Sequence, residues 1–125
     1  MMQTQLLTAL LALGAPTRDT TPVATADLSP WLKKHVPALT TYAQRLRDGA
    51  TWGEVTGLID TTVKAAQELK PLLQGKPRAR IVLTIVQTLV REYAPPSAAW
   101  LTMLLDSQFA EQLVEMAFRR LFPAG

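Results

Sequence analysis

Cysteine and asparagine are both missing from this chain, histidine occurs once, at His35, and serine only three times, at Ser29, Ser97 and Ser107. The lack of cysteine removes a disulfide framework, a thiolate zinc site and a thiol nucleophile at one stroke. It fits a cytoplasmic protein without requiring one. Missing asparagine is compatible with a GC-rich genome or with selection for heat resistance, and the eight glutamines speak against the second. Each serine stands where a helix is expected to begin, so the hydroxyls have capping work to do. A serine nucleophile would need a base and an oxyanion hole besides.

His35 faces the same test. A metal site needs three or four converging donors and a general base needs an oriented partner, and neither is visible in the sequence. Beside Lys33 and Lys34 and just ahead of Pro37, His35 reads as a surface or kink residue. Glu111 and Glu115 lie four apart, but bundle metal sites also use Glu-x-x-His pairs on neighbouring helices, which this chain lacks. Their expected role is a solvated face, with Glu115 paired to Arg119. Gly75-Lys76-Pro77 lacks the other glycines of a phosphate loop. No catalytic residue, cofactor or metal is expected, and the chain reads as a non-enzyme.

What is present is aliphatic. Of 125 residues 48% are hydrophobic and 18% charged, with only eight aromatics. A chain of this length forms one domain and buries roughly two-thirds of the surface its unfolded form exposes. Residues 1–15 superficially resemble a secretory leader. No basic residue precedes Arg18, however, Leu13 stands three before a cut at Ala15, and Pro16 would follow that cut. Nor does any uncharged run reach the roughly 20 apolar residues of a membrane span.

The apolar spacing is helical throughout. Leu6, Leu7, Leu10 and Leu11 share one side of a short helix over residues 2–13, ended by Gly14 and Pro16. Thr, Pro and Ala then recur without a period, as in an extended linker. Ser29 followed by Pro30 has the form of a cap and first helical position, opening a helix to about Asp48 that Pro37 should kink or break near residues 34–36. Leu39, Tyr42, Ala43 and Leu46 mark its inner side. Thr51 and Glu54 have the spacing of a capping box, ahead of a stripe of Val55, Leu58, Ile59, Thr62, Val63, Ala66 and Leu69. Asp60 with Lys64, and Lys64 with Glu68, are spaced as charge pairs along its outside. Pro77 opens a helix to about Tyr93 whose middle, Ile81, Val82, Leu83, Ile85, Val86, Leu89 and Val90, is apolar nearly all round, so it should be central. Ser97 starts a short helix with Trp100, Leu101, Met103, Leu104 and Leu105. A last helix over residues 108–122 should turn Phe109, Leu113, Val114, Ala117, Phe118 and Leu121 inward. The expected plan is all-α, a single compact domain of five to six helices: a helix over 1–14, a linker over 15–29 and a helical body over 30–125.

Net charge is +3, and all of the excess falls after residue 62. Lys70, Lys76, Arg78 and Arg80 follow one another without an acid, which makes residues 70–80 a candidate phosphate contact for nucleic acid. No aromatic lies among them to stack on bases. The leading helix, uncharged and leucine-striped, is the other candidate: it can fold on its own body, pair with a second copy or enter a groove on a protein partner. As a membrane anchor it lacks a basic polar face. The residues expected at a partner or homo-oligomer interface are Leu6, Leu7, Leu10 and Leu11, with Trp31 as an outlying aromatic anchor.

From Leu58 onward, Val63-x-x-Ala66-Gln67, the Gly75-Lys76 break, the Ile/Val/Leu helix and the closing Glu111-Gln112-Leu113-Val114-Glu115-Met116-Ala117 resemble the soluble helical tail of small phage holins. The resemblance implies a phage or prophage origin, and through it a membrane-associated role as an alternative. The chain departs from that family at its leading helix, which is too short to cross a bilayer.

Overall fold

The computed structural model describes residues 2–13, 25–48, 51–69, 78–93 and 99–122. They form six α-helices: α1 (Met2–Leu13), α2 (Thr25–Gln44), α3 (Trp52–Ala66), α4 (Arg78–Tyr93), α5 (Ala99–Leu105) and α6 (Phe109–Leu121). Short 3-10 turns, Arg45–Asp48 and Gln67–Leu69, continue α2 and α3. No strand occurs among the described residues, and none of these helices is long and apolar enough to cross a membrane.

α4 is the hub. Ala79, Ile81, Val82, Leu83, Ile85, Val86, Leu89 and Val90 are all buried, and the helix touches α1, α2, α3, α5 and α6. Its apolar arc is wider than one stripe and needs several neighbours to cover it, while Arg80, Thr84, Gln87, Thr88 and Arg91 form a narrow polar stripe on the remaining side. The five surrounding helices each turn a narrower apolar stripe towards it, and one continuous core results.

α3 begins as its sequence requires. Thr51, in extended backbone, accepts a bond from the Glu54 amide at 3.3 Å, which satisfies one of the free amides of the first turn. The reciprocal half of the box does not form through Glu54 Oε2, which is buried without a partner. Thr62, the one polar residue that is buried as a whole among the described residues, donates to the Leu58 carbonyl at 2.7 Å. The threonine hydroxyl thus enters an aliphatic interior without an unmet donor.

Three expectations are corrected. α2 starts at Thr25, not at the Ser29-Pro30 pair, so residues 25–29 belong to a helix rather than a linker. The earlier start carries Leu28 into the same stripe as Trp31, Leu32, Val36, Leu39 and Ala43, all buried. Burying one more leucine, worth about 1.5–3 kcal/mol, offsets the hydrogen bond that Pro30 cannot make. The helix also continues through Pro37, whose ring is exposed and whose carbonyl accepts a bond from Thr41 Oγ1 at 3.0 Å. Phe109, finally, does not face inward. The core side of α6 is set by Ala110, Val114, Ala117 and Phe118, and a residue one before Ala110 is turned about 100° away from it. The segments over residues 14–24, 70–77 and 94–98, which hold most of the expected linker, and Ser97, lie outside the described residues.

α1 lies against α2 and α4. Leu6 and Leu10 are fully buried, Leu7 and Leu11 pack against the core edge, and Gln5 Nε2 donates to Glu92 Oε2 at 3.1 Å. Leu10→Ala should therefore lower unfolding stability by about 2–5 kcal/mol in urea titration. A loss below about 0.5 kcal/mol, the level of an ordinary surface change, would contradict this placement.

Candidate functional site

Long-range polar contacts gather at two corners of the bundle. The first joins α2 to the end of α3. Trp31, buried on α2, donates its indole N–H to the Ala65 carbonyl at 2.8 Å. That carbonyl belongs to the last turn of α3, where helical partners run out. One turn on, the His35 ring lies 5.2 Å from the Trp31 ring, and its Nε2 pairs with Glu68 Oε2. Lys34 Nζ takes the other Glu68 oxygen at 2.6 Å. His35 thus has an oriented carboxylate after all, contributed from 33 residues away. Its other contact is the Trp31 ring. The corner is a clasp between two helices.

The second corner joins α4 to α6 and α6 to α3. Arg78, in the first turn of α4, meets Glu115 through Nη2–Oε2 at 2.7 Å and Nε–Oε2 at 2.9 Å, with its guanidinium 4.4 Å from the Phe118 ring centre. A cation at the start of a helix opposes the backbone dipole, and Glu115 supplies the anion that offsets it. Arg120 of α6 pairs with Asp60 of α3. Gln87 Nε2 of α4 donates to the Leu105 carbonyl at the end of α5, at 2.9 Å. Because the start of α4 meets the second half of α6 while its middle meets the turn preceding α6, the two helices run antiparallel.

These contacts revise several expected pairings. Glu115 binds Arg78 rather than Arg119, Asp60 binds Arg120, and Glu68 binds Lys34 and His35. A forked guanidinium that also stacks on a ring outweighs an exposed pair within one helix, worth about 0.3–0.5 kcal/mol. Arg78, one of the four cations of the expected phosphate contact, is accordingly occupied by Glu115 in the fold. Arg80 is exposed beside a groove of about 260 Å³ that also holds Gln87, Asp106 and Glu111, so acids share its surroundings. Lys70 and Lys76 lie outside the described residues.

The five residues expected at an interface fare similarly. Leu6, Leu10 and Trp31 are inside the chain's own core, and Leu7 and Leu11 line its edge. Instead, of the six large apolar side chains exposed among the described residues, four stand on the last two helices, Trp100 at 44%, Met103 at 73%, Phe109 at 65% and Met116 at 61%; the others are Trp52 on α3 and Phe122. Phe109, expected in the core, is among the four, and Met116 follows Glu115 on the same helix. The available signal was the phase of α6: with Ala110, Val114 and Ala117 inward, Phe109 and Met116, seven apart, fall together on the far side. A groove of about 580 Å³ runs beside them, lined by Ala79, Glu111, Gln112, Glu115, Met116 and Arg119. Among the described residues no three of His, Asp or Glu converge as a metal site would require. Compared with protein-family models, curated proteins and solved structures, the chain matches none of them.

The clasp has a pH signature. The Lys34 hydrogen bond, followed by that of His35, holds the Glu68 carboxyl below its ordinary value of 4.5. A carboxylate favoured by the fold adds stability above its unfolded pKa and loses that contribution as pH falls through the folded one. Thermal melts should place the native chain above Glu68→Gln at about pH 6, with the gap closing as pH drops below about 4. A gap that stays constant down to about pH 2 would show that the carboxylate charge is not its source.

Proposed function

We propose that this chain is a non-catalytic interaction or assembly subunit that docks through the outer sides of α5 and α6. The observation that carries this reading is the exposure of Trp100, Met103, Phe109 and Met116 on two consecutive helices of a bundle whose interior is otherwise closed. Large apolar groups left in water at such density mark docking surfaces, and aromatics and methionine are enriched at them. The leading helix serves the fold in this account, not the partner. Nucleic-acid binding through Lys70, Lys76, Arg78 and Arg80 is the weaker reading, since Arg78 is already bound to Glu115.

A variant combining Trp100→Gln, Met103→Gln, Phe109→Gln and Met116→Gln tests the proposal. Circular dichroism should report an intact fold. Self-association in light scattering, or capture of a protein from cells that express the chain, should be present in the native protein and lost in the variant. A native chain that stays monomeric and captures nothing more than the variant would refute it.

A further inference from the structure

The outer side of α6 carries Phe109, Gln112, Met116 and Arg119, a three-four-three spacing that makes one straight seam along about 15 Å of helix. Two members of that seam are half of an interaction that this chain completes elsewhere. Arg45 lies over Tyr42 at 4.9 Å, Arg47 over Tyr93 at 4.9 Å and Arg78 over Phe118 at 4.4 Å. Phe109, in contrast, exposes 65% of its surface with no cation over its ring among the described residues. Arg119 is exposed and has no ion pair among them either.

Resting on the interaction reading above, we propose that the occupant of this seam is a second copy of the chain, with the two α6 helices antiparallel about a twofold axis level with residue 114. In that register Phe109 meets Arg119 of the second copy at each end, and Gln112 meets Met116 in the middle. Both unmet halves are then supplied twice, once by each copy, as a twofold interface demands. A guanidinium over a partly desolvated ring is a favourable contact. Parallel pairing would set Arg119 against Arg119 and Phe109 against Phe109, so charge selects the antiparallel arrangement. The groove of about 580 Å³ beside Met116 offers room on the same face for side chains of the opposing helix. A seam this short buries less than the roughly 800 Å² per partner of a standard stable interface. The dimer is therefore reversible, and its population rises with concentration.

The absence of cysteine makes a register test direct. Full-length chains carrying Gln112→Cys and Met116→Cys are mixed at high concentration, oxidised gently and resolved by mass spectrometry. The antiparallel seam requires the mixed disulfide to exceed both homodisulfides several-fold. Sedimentation velocity of the cysteine-free native chain should show mass rising towards the dimer, and Arg119→Glu should weaken that dimer at least tenfold while circular dichroism is unchanged. Dominant homodisulfides would overturn the register. A native chain monomeric at every concentration would overturn self-pairing; if its α6 face nonetheless binds a different protein, the interaction reading survives, and if it binds nothing, both fall.

Discussion

Along the middle of α4 no side chain reaches water freely, and that single constraint dictates where the other helices go. Eight buried residues, five of them β-branched, give α4 a stiff and wide apolar arc. Each neighbour turns one apolar stripe to its share of that arc, and the polar stripe of α4, Arg80, Thr84, Gln87, Thr88 and Arg91, stays on the outside. α1, uncharged over its whole length, closes the remaining side against α2 and α4. The leading helix is in this sense a wall of the core.

Polar side chains tie the rim, where water can still reach them. Gln5 to Glu92, Glu68 to Lys34 and His35, and Arg78 to Glu115 each join two elements that already touch through apolar groups, and the buried Trp31 to Ala65 bond adds a tie inside. Partly exposed ion pairs add little bulk stability because solvent screens them. Their geometric effect is larger: each admits only one axial position of its helices. Arg78 and Arg120 together grip α6 from α4 and α3, and so leave Phe109 and Met116 aimed away from the body. The rotation of α6 that buries Ala110 and Val114 is the same rotation that exposes those two residues.

Much of the fold was legible in the sequence because it rests on local spacing. The central place of α4, the Thr51 start of α3 and the approximate bounds of α5 and α6 follow from apolar period and caps. The start of α2 was misjudged because Ser29-Pro30 is a strong local signal, and only the burial of Leu28 three residues before Trp31 outweighs it. Pairings between helices were illegible. Lys34 and Glu68, Arg78 and Glu115, or Asp60 and Arg120 are separated by 34 to 60 residues, whereas sequence periodicity compares positions within one helix. For the same reason the leucine stripe of α1 looked equally suited to a partner and to the body. Any buried stripe looks alike until its cover is known.

Amide hydrogen exchange followed through low concentrations of denaturant measures the organising role of α4 most directly. If the other helices are held by covering it, the amides of Ile85, Val86 and Leu89 open only in global unfolding, and their exchange free energies fall with denaturant along the slope of complete unfolding. The amides of α5, covered on one side, open at lower cost. Exchange in the middle of α4 as fast and as insensitive to denaturant as in α5 would contradict the account.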